Sequence, residues 1–77
     1  MRALFNCSCI KNVYLRTEGD FVELEIINND NSKVFVSRKN IRSLADKEYF
    51  IEKYEATYES IKQALLNRAS FIEVVLS

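Results

Sequence analysis

The longest amphipathic pattern in the chain runs from Asp46 to Asn67 and predicts one long α-helix. At about 100° per residue, its apolar side chains fall within an arc of roughly 100°, as in a helix that lies on a hydrophobic core. Asp46 is the expected N-cap, and Asn67 with Arg68 suits the C-terminal end of a helix. The apolar stripe comprises Phe50, Ile51, Tyr54, Tyr58, Ile61 and Leu65, flanked by Thr57 and Ala64.

The opposite face of this helix is acidic. Glu48, Glu52, Glu55 and Glu59 recur at spacings of 4, 3 and 4 residues, so their carboxylates lie along one line, which we call the acidic ridge. Like charges at i and i+4 destabilise an isolated helix by about 0.2–0.5 kcal/mol per pair. Two interpretations stay open: the ridge is a solvated helix face, or it is a surface offered to a basic partner.

Shorter apolar segments predict strands at 3–10, 13–17, 21–27 and 33–37, before the helix, and at 70–76, after it. A two-residue loop at Glu18 and Gly19, with the glycine at a positive φ, would place Thr17 opposite Asp20. Leu15 then faces Val22, and the face of the sheet beneath the helix is apolar. That face comprises Val13, Leu15, Val22, Leu24, Ile26, Val34 and Val36.

These elements predict a single α+β domain spanning residues 1–77. An antiparallel four-strand meander packs on one long helix in the C-terminal half, and a final C-terminal strand follows, giving the order ββββαβ. We expect a tight turn at Lys11 and Asn12, a polar turn over 28–32, and a short helical turn before the long helix.

The reverse face of the predicted sheet is the second unusual surface. It shows Tyr14, Phe21, Ile27, Phe35, Phe71 and Val75, together with Glu23, Glu25, Glu73 and Arg16. Exposed aromatic residues on a sheet are typical of RNA-stacking platforms, but carboxylates repel phosphate. A face that mixes both better fits a protein–protein contact, with Tyr14, Phe21 and Phe35 as anchors. The alternative is that some strand faces are assigned wrongly, or that the first strand covers this side.

Charge and hydropathy narrow the classes of partner. The net charge is zero, with 11 basic and 11 acidic residues, so a general electrostatic grip on nucleic acid is not expected. No apolar run approaches the roughly 20 residues of a membrane span. The N-terminal segment 1–10 is too short and too polar for a signal peptide, which favours a cytoplasmic protein.

Residues that could carry catalysis or bind a metal are sparse. Cys7 and Cys9 would point to one face of a strand, but zinc needs four ligands, the chain has no His, and an i,i+2 disulfide would be strained. We expect both to pack as small apolar residues, with a redox role left open. The pair Glu23 and Glu25 could serve acid–base chemistry, yet so small a core leaves little room for a pocket. We therefore predict no enzyme, no cofactor and no metal site.

The leading hypothesis is a small non-catalytic protein-binding module that occludes or bridges a partner. It would use the acidic ridge against a basic protein, or form a homodimer through the aromatic sheet face. The abundance of Asn, Lys, Ile, Tyr and Phe suggests an inhibitor or accessory factor of a phage or mobile element. A nucleic-acid-binding module is the alternative, and a structural subunit of a larger assembly is a third possibility. The nucleic-acid alternative would use a basic strand and turn comprising Lys33, Arg38, Lys39 and Arg42.

Overall fold

A computed structural model describes residues 2–76 as five strands, one short 3-10 turn and one long helix. Strands β2, β3 and β4 form a three-stranded antiparallel sheet, the meander, and β1 pairs antiparallel with β5 in a separate two-stranded sheet, the ribbon. The α+β class, the long helix and the final strand are confirmed. The elements are β1 (Arg2–Asn6), the 3-10 turn (Cys7–Cys9), β2 (Ile10–Thr17), β3 (Phe21–Asn28), β4 (Lys33–Asn40), α1 (Leu44–Leu66) and β5 (Phe71–Val75).

The first predicted strand ends early, and the meander therefore has three strands rather than four. The Asn6 side chain accepts hydrogen bonds from the backbone N–H of Ser8 at 3.0 Å and from its hydroxyl at 2.8 Å, which caps the 3-10 turn. Such local bonds compete with a strand ladder. The turn therefore lies at Cys7–Cys9 rather than at Lys11 and Asn12, and β1 pairs with β5 instead of β2.

The hairpin of β2 and β3 differs from the predicted register by two residues. Thr17 pairs with Val22 and Leu15 with Leu24. The backbone N–H of Glu18 donates to the carbonyl of Phe21 at 2.9 Å, and Gly19 does not adopt a positive φ. The predicted position of the two-residue loop is therefore wrong: it lies at Gly19 and Asp20, one residue later than predicted. Because side chains alternate with a period of two, a shift of two residues leaves the predicted core faces of β2 and β3 intact.

The predicted polar turn over 28–32 forms, but the strand that follows it is longer than predicted and its faces are exchanged. Ile26 pairs with Phe35 and Ile27 with Lys33, so an irregularity falls between them and Val34 has no partner in β3. A one-residue bulge moves every later side chain to the opposite face. Phe35 is consequently buried, whereas Val34 and Val36 are exposed. The assignment of those two valines to the core face was wrong.

Helix α1 packs on the inner faces of both sheets, where it contacts β2, β3 and β5. Tyr54 and Ile61 of the predicted stripe are fully buried, which confirms the face of the helix that meets the core. The Tyr54 hydroxyl lies 2.7 Å from the Ser37 hydroxyl, so its polar end is satisfied inside the fold. The fully buried partners from the sheets are Val13, Val22, Leu24, Ile26 and Val74. No helix within residues 2–76 is long and apolar enough to cross a membrane.

Both ends of α1 are defined by hydrogen bonds. The backbone N–H of Asp46 donates to the Ser43 hydroxyl at 3.1 Å, so Ser43 is the N-cap and the helix begins two residues before the predicted Asp46. At the C-terminal end, the N–H of Ala69 donates to the carbonyl of Ala64 at 2.9 Å. Arg68 adopts a φ of 55°, so this Schellman motif has an arginine where glycine is usual.

We predict that Arg68→Gly stabilises the fold. A left-handed backbone costs a non-glycine residue about 1–2 kcal/mol, and glycine gives back about 0.5–1 kcal/mol through its flexible unfolded state. The expected net gain in the free energy of unfolding is about 0.5–1 kcal/mol, measured by urea denaturation. Arg68→Ala is the matched control, because it removes the same charge but keeps Cβ. Equal stability of the two variants would contradict the prediction.

Candidate functional site

The acidic ridge lies on the side of α1 that faces away from the core. Glu48, Glu52, Glu55 and Glu59 are all exposed. Within residues 2–76 none of these four carboxylates forms an ion pair, since the pairs found there use Glu23, Glu25 and Glu73. The nearby Lys62 ammonium instead lies 5.1 Å from the centre of the Tyr58 ring. The ridge is therefore a row of uncompensated negative charge on a helix that the core holds in place.

A shallow groove, open to solvent and lined by residues of α1, runs beside the N-terminal half of the ridge. The exposed Leu44 and the half-buried Ile51 supply its apolar surface. The remaining lining residues are Lys47, Glu48, Glu52 and Glu55. The sequence pattern did not identify this groove, because the helix was predicted to begin after Leu44. The signal was present as Ser43-x-x-Asp46, which resembles a capping box and marks the earlier start.

The predicted aromatic sheet face forms only in part. Phe35 is buried and packs edge-to-face on Phe5, with the ring centres 5.7 Å apart, so its prediction as an exposed anchor was wrong. Phe21 is half-buried, and the Arg38 guanidinium carbon lies 3.7 Å from its ring centre. Tyr14 alone of the three predicted anchors is well exposed, at 50%. The three aromatic residues therefore do not make one contact surface.

The charged residues of that reverse face form ion pairs, and the exposed Val36 lies among them. Arg16 Nη2 lies 2.7 Å from Glu23 Oε1, and Lys33 Nζ lies 3.3 Å from Glu25 Oε1. Burial raises the pKa of Glu25, but hydrogen bonds with the side chains of Glu23 and Lys33, together with the charge of Lys33, lower it more. The net pKa lies below the ordinary value of 4.5. Both carboxylates of the candidate acid–base pair are thus engaged inside the meander.

The four predicted nucleic-acid contacts do not share one surface. Strand β4 extends to Asn40, so successive side chains point to opposite faces of the meander. Lys33 and Arg38 lie on the reverse face with Glu25 and Phe21, whereas the Lys39 ammonium lies 5.8 Å from the ring centre of Phe50 in α1. Arg42 is exposed in the connection between β4 and α1. The four basic side chains are therefore divided between two faces of the meander and the connection to α1.

The two cysteines do not present a joint ligand face either. Both lie in the 3-10 turn, where Cys7 is buried, Cys9 is exposed and neither forms a disulfide. The prediction that they point to one face of a strand was therefore wrong. In the part of the chain that the structure describes, no group of three or more His, Cys, Asp or Glu residues is placed to hold a metal ion.

An apolar surface that the sequence pattern did not identify lies on the outer face of the ribbon. Its large apolar residues are Leu4, Phe71 and Val75, which are 68%, 60% and 55% exposed. Arg2 Nε lies 3.3 Å from Glu73 Oε1 on the same face. We call this outer surface the ribbon face; it comprises Arg2, Leu4, Asn6, Phe71, Glu73 and Val75.

We predict that Glu25→Gln makes the free energy of unfolding less dependent on pH in the acidic range. The pKa of Glu25 is lowered in the folded state, so the fold favours the carboxylate. Its contribution is full above the ordinary pKa and is lost as the pH falls through the folded pKa. The wild type and Glu25→Gln should differ in their free energy of unfolding, measured with urea, at about pH 7, and this difference should disappear by about pH 3. Lys33→Gln should weaken the same dependence, and parallel profiles for all three proteins would contradict the assignment.

Two features of the described surface stand out, the acidic ridge with its groove and the ribbon face, while Tyr14, Val34 and Val36 are also exposed on the meander. The basic and acidic residues on the reverse face of the meander largely form ion pairs with one another. Comparison of the chain with protein-family models, with curated protein sequences and with solved structures finds no match.

Proposed function

We propose that the protein is a non-catalytic protein-binding module whose acidic ridge binds a basic, partly apolar segment of a partner protein and occludes it. The supporting observation is the row of four exposed, unpaired carboxylates beside a groove with an apolar surface. In this form the protein acts as an inhibitor or an accessory factor of its partner.

The spacing of the ridge defines the partner. From Glu48 to Glu59 the helix rises roughly 16 Å, about three turns. A partner helix with Lys or Arg at i, i+4, i+7 and i+11 matches this row along its length. A leucine or similar side chain beside those cations would fit against Leu44 and Ile51 in the groove. The partner is therefore a cationic amphipathic helix or a basic surface with one apolar anchor.

The energetics favour binding by charge in two ways. Like-charge pairs along the ridge are unfavourable in the free protein, and cations of a partner relieve them. The ridge is also held by a helix whose other side is buried, so little conformational entropy is lost when a partner docks. Such complementarity raises the association rate more than it tightens the complex, while the groove supplies the apolar contact that slows dissociation.

We predict that the quadruple variant E48Q/E52Q/E55Q/E59Q no longer binds the cationic amphipathic peptides that the wild type selects from a displayed library. Affinity for a selected peptide, measured by calorimetry, should fall at least roughly fourfold, since four exposed pairs contribute about 0.2–1 kcal/mol each. Wild-type binding should also weaken from about 0.05 M to about 0.5 M salt, because screening reduces such attraction.

D30N is the matched control, because it removes an exposed acidic group in the turn between β3 and β4, outside α1 and the groove, and should bind as the wild type does. The quadruple variant should be as stable as the wild type or slightly more stable, because it removes like-charge pairs. Selection of peptides without basic residues, or equal affinity of the quadruple variant, would overturn the proposal. Selective binding of nucleic acid instead of peptide would do the same.

A further inference from the structure

We propose that the ribbon face is the contact surface of a homodimer, in which the ribbon of a second copy packs against it. An antiparallel strand pair over a core normally carries polar residues on its solvent side. Here Leu4, Phe71 and Val75 are more than half exposed on that side. Leu4 pairs with Glu73, and Phe71 and Val75 lie diagonally to either side, so the three form one apolar patch.

The charges on the ribbon face indicate which partner covers it. Its two charged residues, Arg2 and Glu73, neutralise each other at 3.3 Å, and the face has no net charge. A basic partner of the kind proposed for the ridge gains nothing here. A two-fold axis through the face instead brings each Arg2 to the Glu73 of the second copy, which makes the surface complementary to itself. The side chains of Arg2 and Glu73 are 74% and 51% exposed, so each can leave its intramolecular pair and contact the second copy.

The remaining sheet edges oppose association, and the ribbon does not. β2 and β4, the outer strands of the meander, each carry an irregularity in their pairing and one exposed lysine, which are features that discourage edge-to-edge pairing. The pairing of β1 with β5 has no register shift and no lysine. A two-stranded sheet is also only marginally stable by itself, so packing against a second ribbon stabilises it.

The size of the ribbon face limits the strength of the dimer. Strands of five residues span roughly 17 Å, and two strands make a surface well below the roughly 800 Å² that each partner buries in a standard interface. We therefore expect a dissociation constant between about 10 µM and about 1 mM. The ribbon face points away from α1, whose side of the ribbon holds the buried Val74. The dimer consequently presents two free acidic ridges, which could bridge two basic segments. This bridging role rests on the proposed function, whereas the proposal of the dimer does not.

Sedimentation equilibrium of the full chain, from about 10 µM to about 1 mM, tests the proposal. The average mass of the wild type should rise with concentration from 9.0 kDa toward twice that value. Leu4→Ser and Phe71→Ser should each raise the dissociation constant roughly tenfold or more. Val36→Ser is the matched control, because Val36 is 45% exposed but lies in β4 of the meander, in a different sheet from the ribbon. A wild type that stays at the monomer mass throughout, or a dimer that survives Leu4→Ser, would overturn the proposal.

A charge exchange tests the two-fold arrangement with the protein kept folded. R2E makes the ribbon face acidic and E73R makes it basic, so each variant alone should be monomeric. An equimolar mixture should form a 1:1 heterodimer, because the two carboxylates on the ribbon face of one chain then meet the two guanidinium groups on the ribbon face of the other. This readout requires contact between two copies, which an intramolecular ion pair cannot supply. If the mixture stays monomeric under conditions in which the wild type dimerises, the proposed interface is wrong.

Discussion

The burial of one side of α1 against both sheets is the constraint on which the rest of the structure depends. Tyr54 and Ile61 are fully buried, and the hydroxyl of Tyr54 meets Ser37 from β4, so the helix cannot rotate without exposing apolar surface and breaking a buried polar contact. The same packing brings Val74 of the ribbon into the core with the meander residues. Because this packing fixes the rotation of α1 about its axis, its row of glutamates faces solvent on the opposite side of the helix.

A net charge of zero conceals an uneven distribution. Arg2, Arg16 and Lys33 each pair with a glutamate of the sheets, and Arg38 stacks on the ring of Phe21. These cations are therefore used within the ribbon and the meander, while the ridge has no ion-pair partner among the described residues. The surface that is left for a partner is acidic on the helix and neutral and apolar on the ribbon, which suits two different kinds of contact.

The local differences from the predicted fold have small physical causes with large effects. A single irregularity between Ile26 and Ile27 moves Phe35 into the core and Val36 out of it, so only part of the predicted aromatic face forms. The Asn6 side chain accepts a hydrogen bond from the backbone N–H of Ser8 and ends the first strand. β1 then pairs with β5, which creates the ribbon face. Each event is worth only about 1 kcal/mol of local bonding, yet each decides which residues reach the surface.

The sequence by itself determined the fold class, the long helix, its buried stripe and its acidic ridge. These follow from a pattern of period 3.6 sustained over many residues, in which an error of one position changes little. Only the tertiary structure decided the strand partners, the face of β4, the separation of Lys33 and Arg38 from Lys39, and the exposed patch of Leu4, Phe71 and Val75. A strand has a period of two, so one bulge reverses its faces, and its partner is chosen by contacts between residues far apart in the chain.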